Sequence, residues 1–216
     1  TSHCSQEIIE AIVSAIAPAC PERAMAGWGK RFRIAIKGDD PRNGRPFIWH
    51  MFHARPGAGA SSGGDGWHGS GEWHSAGGLK FGSVEVAETR FPLYFERHEY
   101  RENSGGDGQY VGGSGCELLL HLETDEDCVV NTAGEGTTHA AAGRQGGKDG
   151  ATHKYRILKP DGGVRVLKTK EEGIPVEARS VFDVRSGGGG GWGAPSDRDT
   201  DARSADSREE LPPLAS

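Results

Sequence analysis

A glycine-rich segment at residues 54–83 contains the side chains of this sequence that are best suited to chemistry. It reads ARPGAGASSGGDGWHGSGEWHSAGGLKFGS and brings Asp65, His68, Glu72 and His74 close together along the chain. Histidine changes charge near neutral pH and binds metals through its ring nitrogens, so His68 and His74, with Asp65, predict a site for metal binding or proton transfer. The alternative is a structural loop, because the spacing between the two histidines matches no defined metal-ligand pattern.

A second group of candidate residues is cationic. Arg90, Arg97 and Arg101 lie in VEVAETRFPLYFERHEYRE, and arginines of this kind bind a carboxylate or phosphate through two parallel hydrogen bonds. Surface pairing with neighbouring glutamates is the alternative. His139 lies in VVNTAGEGTTHAAAGRQGGKDGATHKY, which is typical either of an anion-binding or interface loop or of a solvated connector. We therefore take Arg90, Arg97 and His139 as candidate substrate- or anion-binding residues.

The elements that must position these residues are mainly strands. Alternating apolar residues predict strands in KRFRIAIKG, PFIWHMFH, YRILK and VRVLKTK, with hairpin turns at DPRNG and KPDGG. In the first of these, Arg31 and Arg33 are expected on the solvated face. VEVAETRFPLYFERHEYRE is predicted to be a strand region, and CELLLHLET a strand buried on both faces. Two glycine runs, SGGDGQYVGGSG and SGGGGGWG, are expected to let the backbone turn where a Cβ would clash.

One helix and a polar tail complete the predicted architecture. In SQEIIEAIVSAIAPAC, apolar residues at helical spacing predict an amphipathic helix whose isoleucine face packs on the core. Residues 194–216 have almost no apolar content, which predicts an extended C-terminal arm lying on a partner, or disorder. The fold class is therefore α+β, predominantly β, with Gly-rich antiparallel strands over one region, 1–193, followed by a polar arm or tail, 194–216.

Composition excludes several classes of protein. The 216 residues carry a formal charge of -6, which offers no basic field for nucleic acid. The sequence has no apolar run long enough to cross a bilayer and no secretory leader, so a cytoplasmic protein without membrane contact is expected. Cys4, Cys20, Cys116 and Cys128 are widely spaced and are expected to be reduced and mostly buried. Only 34% of the residues are hydrophobic and 35 are glycine, which predicts a chain that depends on partners.

Four stretches resemble a known family. GDDPRNGRPFIWH, GAGASSGGDGWHG, SVEVAETRFPLYFERHEYRENSGGDGQYVGGSG and VFDVRSGGGGGWGAPSDRD are similar to the C-terminal part of the hydantoinase B/5-oxoprolinase family. The similarity runs from about Ser5 to Asp199. The last two stretches are long and specific, so they carry most of the assignment.

The resemblance implies one subunit of an ATP-dependent enzyme that acts on a carbonyl carbon. The reaction is ring-opening hydrolysis of a cyclic amide or, alternatively, ketone carboxylation of the biotin-independent acetone or acetophenone type. ATP and magnesium are expected on a hydantoinase A-like partner subunit, and the chain contains no GxxxxGK[ST] loop. Asp65, His68 and His74 are carried over as lining the pocket for a small carbonyl substrate, because they lie in the matched loop.

The family's metal-binding residues lie in an N-terminal part that this chain does not contain. The resemblance therefore also implies an N-terminal B-type chain as partner and a divalent metal, zinc or manganese, held mainly by that partner. Two other classes of function stay open. One is a structural subunit without catalytic groups, and the other is an amidohydrolase in which Thr1 is an N-terminal nucleophile.

Overall fold

The computed structural model describes residues 4–73 and 80–209, with side chains described as far as residue 206. Its strands form two antiparallel sheets. The four-stranded sheet has the order β2-β1-β5-β8 and the five-stranded sheet the order β3-β4-β9-β6-β7. The strands are β1 (Ile34–Asp40), β2 (Arg45–His50), β3 (Leu93–Tyr100), β4 (Cys116–Leu122), β5 (Cys128–Ala133), β6 (Lys154–Leu158), β7 (Val164–Val166), β8 (Lys170–Val176) and β9 (Val181–Arg185).

The helices are α1 (Ser5–Ile16), α2 (Val84–Arg90) and α3 (Thr200–Glu209). Short 3-10 turns lie at Pro21–Arg23 and Pro195–Asp197. Among residues 4–73 and 80–209, no helix is long and apolar enough to cross a membrane. This architecture confirms the predicted class, α+β and predominantly β.

Both sheets contribute to a single apolar core. Strand β4 alternates buried and half-buried residues, so that Leu118, Leu120 and Leu122 face inward. Strand β1 buries Ile34 and Ile36 in the same cluster. Period-two alternation on strands from two sheets places one face of each sheet against the other, as in β-sandwiches.

The predicted hairpins are confirmed. Strands β1 and β2 pair antiparallel around the DPRNG turn, where Gly44 has a φ of 66° and Asp40 accepts a hydrogen bond from the Arg42 backbone at 3.0 Å. Strands β6 and β7 pair antiparallel around KPDGG. The positive φ at Gly44 is the conformation that glycine adopts without steric cost.

The glycine runs form a layer in which backbones pack directly on one another, which we call the glycine bundle. Its centre is the run 187–191, in which no residue has a positive φ. The backbone of this run forms hydrogen bonds with other segments, with N···O distances of 2.8–3.1 Å. Those partners are Gly27, Gly57, Ala60, Gly106, Gly113, Arg144 and Lys148. A Cβ at Gly189 would lie 1.9 Å from the carbonyl oxygen of Ala58. Glycine is therefore required here for close approach of straight segments, as at the collagen axis, and not for the turns that we predicted.

His153 joins this bundle to the start of β1. It is buried, its Nε2 lies 2.7 Å from the carbonyl oxygen of Lys30, and its Nδ1 accepts the Gly187 N–H at 2.6 Å. A ring nitrogen beside a carbonyl donates and one beside an N–H accepts, so His153 is neutral with its proton on Nε2. Burial lowers the pKa of His153 to about 3, which agrees with this neutral state.

Helix α1 forms as predicted, but it packs through the opposite face. Gln6 and Glu10 are buried, whereas Ile8, Ile12 and Ile16 are each more than half exposed. Gln6 Nε2 donates to a carbonyl of the glycine bundle, Gly29 O, at 2.8 Å, and Glu10 pairs with Lys30. The predicted core packing of the isoleucines was wrong, because the surface beneath α1 is polar backbone that needs hydrogen-bonding side chains.

The segment Val84–Arg90 is helix α2, so its assignment to a strand was wrong; the strand begins only at Leu93. Ser83 is the N-cap, with its hydroxyl accepting the Val86 N–H at 3.1 Å. An N-cap hydrogen bond of this kind pairs one of the backbone N–H groups in the first turn of a helix, which would otherwise have no partner within the helix. The capping residue therefore outweighs the alternation of valine with glutamate.

Two smaller expectations turned out differently in detail. None of the four cysteines, all of which lie in the described ranges, forms a disulfide, but only Cys116 and Cys128 are buried, while Cys4 and Cys20 are exposed. The C-terminal segment expected as an arm contains helix α3. Thr1 and the residues after Glu209 lie outside the described part of the chain.

Candidate functional site

Asp65 is held by a two-pronged ion pair. Arg198 reaches its two carboxylate oxygens at 2.9 and 3.0 Å, and the Val111 N–H donates to Oδ1 at 2.7 Å. The same guanidinium pairs with Asp206 on α3 at 2.7 and 2.8 Å. Hydrogen bonds to Asp206 and Asp65 hold the pKa of Arg198 above its usual range. Asp65 thus fastens the C-terminal helix to the predicted loop.

His68 faces solvent beside two aromatic residues. Its Nδ1 accepts the Ser114 N–H at 2.9 Å, so a neutral ring carries its proton on Nε2. Its ring lies 5.5 Å from that of Tyr100, and the adjacent Trp67 is 66% exposed. Nε2 is the nitrogen left for exchange with a substrate or solvent. His74, the third predicted pocket residue, lies outside the described residues.

The predicted anion-binding residues do not contact one another in the described ranges. Arg90 is exposed in the last turn of α2, and His139 is exposed in the connection between β5 and β6. Arg97 on β3 pairs with Glu117 at 2.9 Å and with Glu99 at 3.1 Å. Arg97 therefore makes the surface pairs that were the alternative to a ligand site.

Sequence reasoning missed a buried arginine cluster, which consists of Arg31, Arg33, Arg55 and Glu72. Arg31, Arg55 and Glu72 are buried, and Arg33 is half-buried. Arg33 Nη2 lies 2.8 Å and Arg31 Nε 3.7 Å from Glu72 Oε1. Two guanidinium groups thus pair with one carboxylate and that of Arg55 lies near it, an arrangement in which positive charge predominates.

Arg55 differs from the other two arginines in its contacts. Its Nη2 donates to the carbonyl oxygen of Lys80 at 2.6 Å, and its guanidinium lies 5.9 Å from the centre of the Phe81 ring. Burial lowers the pKa of Arg55, and the nearby charge of Arg33 lowers it further. Burial is also the main cause that lowers the pKa of Arg33. The cluster is therefore short of negative charge.

The arginine cluster forms where the glycine-rich loop covers the start of β1. Arg31 and Arg33 precede Ile34, and Gly71 N–H donates to Pro56 O at 3.0 Å, which lays residues 70–73 beside Arg55. We predicted a solvated face for Arg31 and Arg33, which was wrong for the buried Arg31. The missed signal was the cationic KRFR segment at the start of the strand, together with Glu72, one of two acidic residues in the loop 54–83.

Two further histidines lie at the edge of this cluster. His53 is buried, and His98 Nε2 donates to the His53 carbonyl at 2.8 Å. Their rings are 5.8 Å apart, and His53 also stacks near Trp49 and Phe95. Burial lowers the pKa of His53. These contacts assign the pair to packing and positioning.

Asp65 and His68, the two carried-over residues that the structure describes, do not fit a metal site. Asp65 is committed to Arg198, and His68 Nδ1 accepts a backbone N–H. Within residues 4–73 and 80–209 there is no group of three or more histidine, cysteine, aspartate or glutamate side chains arranged to hold an ion. A single histidine nitrogen does not make such a centre.

Comparison with known proteins identifies related sequences. The family model for hydantoinase B/oxoprolinase matches residues 1–195. The β subunit of caprolactamase from Pseudomonas jessenii is 36% identical over 146 residues, which are 67% of this chain and 25% of that protein. 5-Oxoprolinase 1 from Arabidopsis thaliana is 32% identical over 110 residues, 51% of this chain and 8% of that protein.

Two solved structures share the fold. Nucleotide-free acetone carboxylase superposes with a TM-score of 0.72 over 87% of this chain and 29% of that chain, at 21% identity. The ATP-dependent caprolactamase of Pseudomonas jessenii gives a TM-score of 0.69 over 92% of this chain and 35% of that chain, at 27% identity. The chain thus spans about a third or less of the length of these relatives.

Proposed function

Because this chain belongs to the hydantoinase B/oxoprolinase family, we propose that it is one part of an ATP-dependent, multi-subunit enzyme that opens cyclic amides by hydrolysis. The observation that carries the proposal is the match to caprolactamase, which spans 92% of the chain at 27% identity with a TM-score of 0.69. The sequence match to the β subunit of the same enzyme, at 36% identity, supports it.

In the proposed reaction, the amide oxygen of the ring is phosphorylated by ATP, and water then attacks the activated carbonyl carbon. The C–N bond of the ring breaks, the amine takes up a proton, and phosphate and a carboxylate are released. ATP and magnesium belong on a hydantoinase A-like partner, and a divalent metal belongs mainly on an N-terminal B-type partner. The match covers only 25% of the caprolactamase β subunit, and the proposal assigns the remaining parts of the active site to these partners.

The role proposed for this chain is to line the substrate pocket. Asp65 positions the loop through Arg198, and His68 exposes Nε2 beside Tyr100. An exposed imidazole can accept a proton from the attacking water or return one to the departing amine. His74 belongs to the same proposed group, and Arg90, Arg97 and His139 are the proposed contacts to an anionic part of the substrate.

Ketone carboxylation is the second candidate function. The fold shared with acetone carboxylase, with a TM-score of 0.72, supports it at the level of architecture alone, because the identity is 21%. In that reaction the phosphorylated enol would attack bicarbonate or CO₂ through its carbon. The two candidates share the activated oxygen and differ in the attacking group, so the products separate them.

Reconstitution with both partners tests the proposal. We would co-express the chain with a hydantoinase A-like chain and an N-terminal B-type chain from the same organism and measure ADP release with caprolactam, 5-oxoproline and hydantoin, and with acetone plus bicarbonate. Ring-opened amino acid formed in step with ADP is the expected product, identified by mass spectrometry. A carboxylated ketone instead would establish the second candidate. An assembled complex that turns over none of these classes contradicts the enzyme assignment.

Two variants address the remaining classes. His68→Ala should lower turnover of the reconstituted complex without loosening its assembly, and unchanged turnover would make the chain a scaffold. Tyr94→Ala, at an exposed position on β3 away from the loop, is the matched control. Thr1→Ala should leave activity unchanged; a large loss would instead support the N-terminal nucleophile.

A further inference from the structure

Within residues 4–73 and 80–206, three buried hydrogen-bond donors near the arginine cluster have no acceptor. They are Arg55 Nε, Trp28 Nε1 and Ser70 Oγ. The residues that carry them are 5%, 4% and 5% exposed. Buried polar groups in folded proteins are almost always paired, and each unpaired donor costs about 1–3 kcal/mol. Three of them in one corner indicate that an acceptor belongs there.

The three donors come from segments that lie side by side. Gly71 N–H donates to Pro56 O at 3.0 Å, so Ser70 runs beside Arg55. Gly29 N–H donates to Gly57 O at 2.9 Å, which brings the segment of Trp28 to the same place. The Trp28 ring stacks on Trp73, with centroids 5.9 Å apart and planes 5° from parallel. The neutral donors and the guanidinium therefore belong to one corner of the fold.

Among the described residues, Arg55 makes no ion pair of its own and only shares the charge of Glu72, which acts on it from nearby. Glu72 is bound by Arg33 at 2.8 Å and is approached by Arg31 at 3.7 Å. The side-chain bond of Arg55 in the described residues goes to a neutral carbonyl, Lys80 O. The adjoining sequence, HSAGGL at 74–79, contains no acidic residue. One carboxylate shared among three arginines leaves buried positive charge under-compensated, which is far more costly than an unpaired neutral donor.

The other charged groups that face Arg55 add to the excess. Arg33 lies close enough to lower the pKa of Arg55, and Arg55 in turn lowers the pKa of the neighbouring His53. Cys116 acts weakly on Arg55, but burial raises the pKa of its thiol to about 12, so it is uncharged at neutral pH. A buried water would satisfy Ser70 and Trp28, but it would not neutralise the guanidinium.

We propose that Arg55 anchors a binding site for a small oxyanion, with Arg33 adding positive potential and with Ser70 and Trp28 as neutral donors. The ligand class is a carboxylate, bicarbonate or phosphate, because two oxygens on one centre match the paired N–H groups of a guanidinium. Assigning this anion to the reaction rests on the proposed function, in which ring opening releases a carboxylate and phosphate. Anion binding itself is a property of this chain.

Titration of the full chain with three anions tests the site directly. Sodium phosphate, bicarbonate and acetate would each be added in a low-chloride buffer, with calorimetry and tryptophan fluorescence as readouts, since Trp28 and Trp73 stack at the site. We expect one saturable site, and the anion that binds with the highest affinity identifies the chemical source of the ligand. Arg55→Gln should lower the affinity for that anion by about tenfold or more, the loss expected for one charge-assisted pair of hydrogen bonds.

Matched variants keep the test decisive. Arg179→Gln removes a guanidinium that pairs with Asp125 at 2.8 Å on the surface, and it should bind the anion like the wild type. Arg55→Lys retains the positive charge but lacks the paired N–H groups of the guanidinium, so it should bind the anion with intermediate affinity. If Arg55→Gln does not fold, Trp28→Phe removes only the Nε1–H donor of the site and should still weaken binding.

Several results would overturn the site. One is the absence of saturable binding of any of the three anions to the wild-type chain, as expected if buried water alone meets these donors. Another is equal affinity of wild type, Arg55→Gln and Arg55→Lys. The outcome is separate from that of the proposed function. Anion binding by a chain whose reconstituted complex turns over no cyclic amide supports the site and contradicts only the reaction.

Discussion

Replacing Gly189 by alanine should unfold the protein or nearly so. A Cβ at this position would lie 1.9 Å from the carbonyl oxygen of Ala58, 2.2 Å from its carbonyl carbon and 2.6 Å from the nitrogen of Gly59. All three are main-chain atoms, so no side chain can rotate away. The tightest tolerable Cβ contact is 3.0 Å, so the two backbones must separate by about 1 Å.

The energetic cost follows from the hydrogen bonds that this movement breaks. Gly189 N donates to Gly113 O and Gly189 O accepts from Gly106 N, each at 2.9 Å, and both bonds lie inside the glycine bundle. Two buried bonds lost at about 1–3 kcal/mol each, together with the overlap itself, give a destabilisation of at least about 4 kcal/mol. That is a large part of the total stability of about 5–15 kcal/mol of an ordinary domain. The expected fall in Tm is about 10 °C or more.

Two control glycines separate crowding from backbone conformation. Gly64 has open space around its Cβ position and no positive φ, so Gly64→Ala should change stability by about 0.5 kcal/mol or less. Gly44 also has open space but a φ of 66°, so Gly44→Ala should cost about 1–2 kcal/mol through strain alone. Equilibrium urea unfolding followed by circular dichroism measures all three. A Gly189→Ala protein within about 1 kcal/mol of Gly64→Ala would refute the close-packed bundle.

Three further predictions concern pH, helix α1 and the C-terminal helix. Burial lowers the pKa of His153 from 6.5 to about 3, so on acidification the imidazole of the unfolded chain is protonated before that of the folded chain. The free energy of unfolding should therefore fall as pH drops from 6.5 towards 3, by up to about 1.4 kcal/mol per pH unit. Urea midpoints at pH 7.5, 6.0 and 5.0 measure this, and the same dependence of stability on pH in His153→Gln would contradict it. Gln6→Leu should lower the free energy of unfolding by about 1–3 kcal/mol, because it removes the hydrogen bond to Gly29 O and leaves that carbonyl buried, whereas Ile12→Ser should change stability little. A larger loss of Tm in Ile12→Ser than in Gln6→Leu would place the isoleucine face in the core. Arg198→Ala should release α3 from the loop and raise the rate at which α3 is cleaved in limited proteolysis, while the sheets stay protected. Equal cleavage rates of α3 in the wild type and the variant would contradict the role of the Asp65–Arg198–Asp206 network.

The fold class and both tested hairpins could be predicted from local signals. Strand alternation has a period of two, and turns such as DPRNG and KPDGG restrict the backbone wherever they occur. The face that each element buries could not be predicted in this way. Ile8, Ile12 and Ile16 of α1 point outward because the surface beneath the helix is backbone, and nothing within the helix sequence indicates that.

The candidate site was harder to predict than the fold. Asp65 and His68 were recognised by residue type, but their actual partners, Arg198 and Ser114, are distant in sequence. The arginine cluster was missed because alternation assigned Arg31 to a solvated face, and only the fold brings Glu72 over it. Long-range contacts of this kind leave no periodic signal in the chain.

The position of the glycine run 187–191 also constrains how the protein is made. Its hydrogen-bonding partners, from Gly27 to Lys148, all emerge from the ribosome earlier, and they cannot be joined until the run has been synthesised. During translation their amide groups therefore stay open to water and to other chains, as in folds dominated by pairings distant in sequence. A nascent chain halted at residue 186 should consequently depend on chaperones, although all nine strands of the described part of the chain have already been synthesised.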